Sequence, residues 1–158
     1  MAEIAGRRMT AEIHGDCVVF LIGARFNNKL QMLQSFMDLG GRRGMKHMLD
    51  YLVERPEKGL LAYEVGIPTI VQYWRSFEHL EAFAKDKDDP HMEVWRKYWR
   101  RVGKSDRTGI WHETYLVKAG QYEAAYGNMP PHGLGKAGRL VPLSESSSAR
   151  GRMGALVS

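Results

Sequence analysis

The sequence predicts an α+β domain of ferredoxin-like plan, β-α-β-β-α-β with an antiparallel sheet. Three observations carry that prediction. The chain has 158 residues, 44% hydrophobic and 26% charged, which suits one globular domain with a single core. Apolar runs of strand character alternate with helically spaced stretches in the order strand, helix, strand, strand, helix, strand. The two central strands are joined only by Gly66-Ile67-Pro68, too short a link for anything but an antiparallel hairpin.

Residues 1–12 read as a flexible N-terminal arm, 13–130 as the folded domain, and 131–158 as a C-terminal extension, partly disordered. Cys17–Phe26 (CVVFLIGARF) is apolar on both faces and reads as a buried strand. Lys29–Leu39 carries Leu30, Leu33, Phe36 and Met37 at helical spacing. After Gly40-Gly41 the stripe resumes through Met45, Met48, Leu49 and Leu52. Arg55-Pro56 ends it, because a residue before proline avoids the helical region.

Gly59–Val65 and Thr69–Arg75 form the hairpin. In the second of them, Ile70, Gln72 and Trp74 share one face. Ser76 is a good N-cap for a helix over Phe77–Lys85, with His79 where a capping box would have Glu or Gln. Pro90 opens a second helix to Val102, with His91, Trp95 and Tyr98 on one stripe, Met92, Trp95 and Trp99 on the next, and the basic residues mainly on the other side. Gly109–Val117 alternates as a strand: Ile110, His112, Thr114 and Leu116 point one way, Trp111, Glu113 and Tyr115 the other. Gln121–Gly127 suggests a short further strand. The glycine- and serine-rich tail ends in about a dozen residues of disordered character.

Composition narrows the function. No apolar run approaches the roughly 18–20 residues that span a bilayer. The N-terminus lacks a secretory apolar segment, so a cytoplasmic protein is expected. The single cysteine, Cys17, excludes an internal disulfide and a multi-cysteine metal site. No clustered His and carboxylate ligands suggest another metal. The net charge of +5 comes with no nucleic-acid motif, so no nucleic-acid partner and no membrane partner is expected.

Chemistry concentrates between Pro68 and Tyr126, which hold all four tryptophans and three of the six histidines. The segments GLLAYEVG, VQYWRSFEHLEAFAKD, His91 with Trp95, GIWHETY and YEAAYGNMPPHGLGKAG resemble the DUF4188 family of monooxygenase-like proteins. The likeness covers Arg25 to Gly138. That resemblance implies a dimeric α/β barrel, in which the apolar sheet faces of two copies pack together. It also implies a pocket between the sheet and its helices. Trp74, Trp95, Tyr98, Thr114 and Tyr126 are then the candidate substrate contacts, with Tyr73, Tyr115 and Tyr122 as further polar groups.

His112, in mid-strand among apolar neighbours, is the candidate acid and base for an apolar or aromatic substrate. His91 is a second catalytic candidate. The first expectation is a cofactor-free oxygenation. The alternative is a heme enzyme of the same fold group, resembling heme-degrading monooxygenases or aldoxime dehydratases, with His91 as the heme ligand. A non-catalytic ligand-binding barrel is the third. The segment Met129–Leu134 is expected at the pocket mouth or the dimer seam.

Overall fold

The computed structural model describes residues 8–28, 30, 32–39, 41–88, 90–103, 106–143 and 148–154. A four-stranded sheet, all of its pairs antiparallel, forms the centre of the molecule. Its strands are β2 (Cys17–Phe26), β3 (Leu60–Val65), β4 (Thr69–Trp74) and β5 (Thr108–Val117), following a first strand β1 (Met9–Glu12) outside the sheet. The spatial order is β3-β4-β2-β5. This is the ferredoxin-like order, with helices α1 (Met32–Asp38), α2 (Gly41–Val53), α3 (Phe77–Lys85) and α4 (Pro90–Val102) in the two crossovers.

Register decides which side chains share a face. Val18 pairs with Trp74 and Leu116, Phe20 with Gln72 and Thr114, and Ile22 with Ile70 and His112. Directly paired residues project to the same side. Those positions therefore make the face covered by helices. Its core joins Val18, Leu60 and Trp74 to Met48, Leu49 and Leu52 of α2 and Leu80 and Phe83 of α3. Each such Leu or Phe contributes about 1.5–3 kcal/mol by leaving water. A bulge between Leu60 and Ala62 shifts the phase of β3 against β4, so that Leu60 pairs with Trp74 and Ala62 with Tyr73.

Ser76 caps α3: its Oγ accepts from the His79 N–H at 3.4 Å. His79 Nδ1 lies 2.9 Å from the same Oγ, so the ring meets the capping hydroxyl where a capping-box glutamate would reach the Ser76 N–H. Among the described residues no helix is long and apolar enough to cross a membrane.

Three expectations for the ends of the chain are corrected. The expected flexible arm is already a strand from Met9, because β1 pairs antiparallel with β6 (Arg139–Pro142). Residues 1–7 lie outside the described residues. Gln121–Gly127 is not a strand. It meets β1 through one bridge, Met9 with Tyr126. Thr10 Oγ1 donates to the Ala124 carbonyl at 2.7 Å and Tyr122 Oη accepts from the Ile13 N–H at 2.7 Å, so side chains replace ladder bonds there. The last dozen residues include a short helix, α6 (Ala149–Gly154), preceded by the one-turn α5 (Leu134–Ala137) in the extension.

Part of the extension lies against the second sheet face. The Gly133 N–H donates to Glu64 Oε1 at 3.0 Å, and the Gly135 N–H to Tyr126 Oη at 3.0 Å. Lys136 Nζ donates to the Tyr63 carbonyl at 2.9 Å. Met129–Leu134, expected at a pocket mouth or dimer seam, therefore approaches the sheet on the side away from the helices.

Candidate functional site

β5 is the edge strand next to β2, and this position shapes the site. Helices α2 and α3 cover β3, β4 and β2, where the buried core lies. Over β5 the helix-side face stays open: His112, Thr114 and Leu116 are all exposed. His112 packs its ring on Phe20 at a centroid distance of 5.5 Å and an angle of 35°. Sequence phase placed His112, Thr114 and Leu116 together correctly. The apolar neighbours of His112 in the strand do not bury it, because an edge strand beyond the core helices keeps its face in water.

Helix α4 carries a second group of candidates. Tyr98 is buried and its hydroxyl donates to the Thr108 carbonyl at 3.0 Å, fixing the helix to the start of β5. Burial raises the Tyr98 phenol above its ordinary pKa, so it stays a neutral donor. Trp95 stacks on Tyr98 at 5.6 Å and meets Trp99 at 5.9 Å. Beside these rings is an open cavity of about 660 Å³, lined among the described residues by Met92, Trp95, Arg96, Trp99 and Arg100. Arg96 Nε donates to the Met92 carbonyl at 3.3 Å within the helix.

Arg96 and Arg100 were expected mainly on the other side of α4. At 100° per residue, positions 92, 95, 96, 99 and 100 span an arc of about 140°, so both arginines share the aromatic stripe. The signal was present in the i, i+4 spacing of Met92, Arg96 and Arg100. Apolar residues alone do not mark that face.

The remaining candidates separate. Trp74 shares the helix-side face but is fully buried among core residues. Its Nε1 donates to Gln72 Oε1 at 2.9 Å and its ring lies 5.8 Å from Phe83. It is a core residue away from the α4 cavity, because α3 closes over β4. His91 stands in the first turn of α4, and its side chain is outside the described residues. Tyr126 is held by the Gly135 N–H on the far side of the sheet, so its phenol does not join His112. Tyr73 shares that side, with its pKa raised by burial first and then by Tyr126 and Glu64. Tyr122 bonds the Ile13 backbone, and Tyr115 Oη donates to Glu113 Oε2 at 2.5 Å on the face opposite His112. The structure thus brings Trp95 and Tyr98 together, and places His112 and Thr114 side by side on the strand that Tyr98 reaches.

The sequence profile of the family described as Monooxygenase af470-like matches residues 17–134, from the first residue of β2 to the first of α5. The chain belongs to the monooxygenase af470-like family. The curated Monooxygenase af470 of Aspergillus fumigatus is 30% identical over 157 residues, covering 86% of this chain. The chain spans 56% of that relative's length. Among solved structures, an aldoxime dehydratase in complex with butyraldoxime superposes with a TM-score of 0.61 at 15% identity, covering 85% of this chain and 39% of that one. At that identity the likeness concerns fold, and it agrees with the ferredoxin-like order of the sheet. The af470-like match covers β2–β5 and α1–α4, the whole of the candidate site, and leaves out β1 and β6.

Proposed function

We propose that this af470-like protein is a small oxidoreductase, monooxygenase-like, acting on an apolar or aromatic molecule with His112 as acid and base. The substrate lies along the α4 cavity and reaches toward β5. The observation that carries this reading is the junction at Tyr98, whose ring continues the Trp99–Trp95 row and whose hydroxyl holds Thr108 at the start of β5. Aromatic lining thereby leads to the strand face bearing His112. His112 is four positions on from Thr108, about 13 Å along a strand, so an extended substrate suits the site better than a compact one.

Catalysis follows from the imidazole. An electron-rich phenol or enol gives its proton to His112, and the resulting anion reacts with dioxygen. Thr114, next on the same face, orients the substrate oxygen. Replacing His112 by alanine should lower oxygen uptake with the turned-over substrate by about 10²-fold or more, leaving the melting temperature unchanged, because the side chain is exposed. Unaltered turnover in that variant would sink the reading and leave a ligand-binding protein.

A second reading keeps the cavity and gives it a heme. It is favoured by the place of His91 on α4, four residues before Trp95. Heme would supply redox chemistry at iron, with His91 to hold it and Trp95 and Trp99 beside it. Titration with hemin tests this: a Soret shift that disappears in His91→Ala supports it, and an unshifted band removes it.

The homodimer belongs, in this proposal, on the opposite face, where Trp111 and Tyr115 are 38% and 51% exposed. A second copy would cover them, and the α4 cavity would stay open on the other side of each sheet.

A further inference from the structure

The α4 cavity is not only apolar. Two guanidinium groups, Arg96 and Arg100, line it beside Met92, Trp95 and Trp99. Among the described residues neither arginine meets a carboxylate. Arg96 donates to the Met92 carbonyl, and among the described residues Arg100 makes no hydrogen bond or ion pair. Elsewhere the chain pairs its surface cations readily: Lys46 with Asp50, Lys85 with Glu81, Lys118 with Asp16 and Arg139 with Glu12. The next arginine on the helix, Arg101, is turned away from the cavity to the Met37 carbonyl at 3.1 Å. Among the described residues, one face of α4 thus sets two guanidinium groups without a carboxylate partner against two indole rings.

We infer that the ligand of this cavity is an apolar molecule carrying a carboxylate, its body on Trp95 and Trp99 and its acid group between Arg96 and Arg100. The inference rests on the proposed use of the same cavity for substrate. It adds the polarity of the substrate and its direction. Guanidinium groups bind carboxylates through parallel N–H···O bonds, stronger than neutral hydrogen bonds and partly protected from solvent beside an apolar wall. An acid fixed at α4 leaves the other end of the molecule to extend past Tyr98 toward His112. The carboxylate is therefore an anchor and not the reacting group.

The test compares 2-naphthoate with 2-naphthylmethanol, matched in ring and differing in charge. Binding is read by tryptophan quenching and by calorimetry, on the full chain and on a double variant, Arg96→Gln with Arg100→Gln. The expected result is that the acid binds about tenfold more tightly than the alcohol. The preference should vanish in the double variant, whose affinity for the alcohol is unchanged. It should also shrink as salt rises from 0.05 to about 0.5 M. Both arginines are exposed, so the variant should keep the parent melting temperature. Equal affinity for the two probes, or a preference that survives in the double variant, would overturn the carboxylate anchor while leaving the apolar cavity in place. Failure of both probes to bind would overturn the cavity as a ligand site, and with it the functional reading.

Discussion

Gly59 shows how narrowly single positions are set. It ends the turn Pro56–Lys58 at φ 91°, and a Cβ there would lie 2.5 Å from the His79 ring. Backbone strain and collision add, so Gly59→Ala should destabilise the fold by about 2 kcal/mol or more in chemical denaturation. His79 is thereby a cap partner and a packing surface at once. Trp74 separates stability from binding. Trp74→Phe removes the Nε1–H donor and leaves Gln72 Oε1 buried without it, a cost of about 1–3 kcal/mol. Because Trp74 lies in the core, the affinity for 2-naphthoate should change little. A large loss of affinity would return Trp74 to the pocket. At His112 the converse holds: substitution should cost activity and almost no stability.

Elements explain why one face is open and the other partly closed. On the helix side α2 and α3 stop short of β5. On the far side the chain's own extension reaches Glu64 through Gly133, with His132 Nδ1 at 3.4 Å from the same carboxylate. Glu64→Ala should free this segment. The amides of Gly133 and Gly135 should then exchange faster in hydrogen-exchange measurements, with Met92 through Arg100 unaffected.

Much of this arrangement was legible from residue types. The bounds of β2, α3 and α4 follow from the CVVFLIGARF run, the Ser76 cap and Pro90. The division of β5 into a His112 face and a Trp111 face follows from its two-residue period. What could not be read was determined by tertiary position. Alternation places His112 on the helix side but does not say that β5 lies beyond the helices. Trp74 and Trp95 look alike in sequence, yet one is sealed under α3 and the other borders a cavity. β1 and β6 are four residues each and pair with one another across more than a hundred residues of chain. Neither carries a local signal of its own. On the far face Gly23 was an unmarked strand residue, although a Cβ there would lie 2.6 Å from the Trp111 indole.

At the scale of the molecule, charge and burial set the response to pH. Burial raises the pKa of Cys17, Tyr73, Tyr98 and Tyr126. In the folded chain these groups keep protons that the unfolded chain releases from its ordinary values of 9.0 for Cys and 10.0 for Tyr. Their stabilisation is whole below those values and is lost as pH rises through the higher folded ones. Denaturation midpoints should therefore fall on the alkaline side from about pH 9. Tyr73→Phe with Tyr126→Phe should flatten that limb. Self-association is the other property of the whole. Light scattering should return twice the 18.0 kDa of one chain, and Trp111→Lys on the far face should return one.

One side of the sheet takes the ligand in this proposal, the side of α4 and His112. Isotope-filtered nuclear Overhauser spectroscopy of the protein with bound 2-naphthoate answers that directly. Contacts from the naphthalene protons to the Trp95 and Trp99 rings, with the His112 imidazole shifted on binding, are the predicted result. Contacts to Trp111 and Tyr115, with the α4 rings silent, would contradict it.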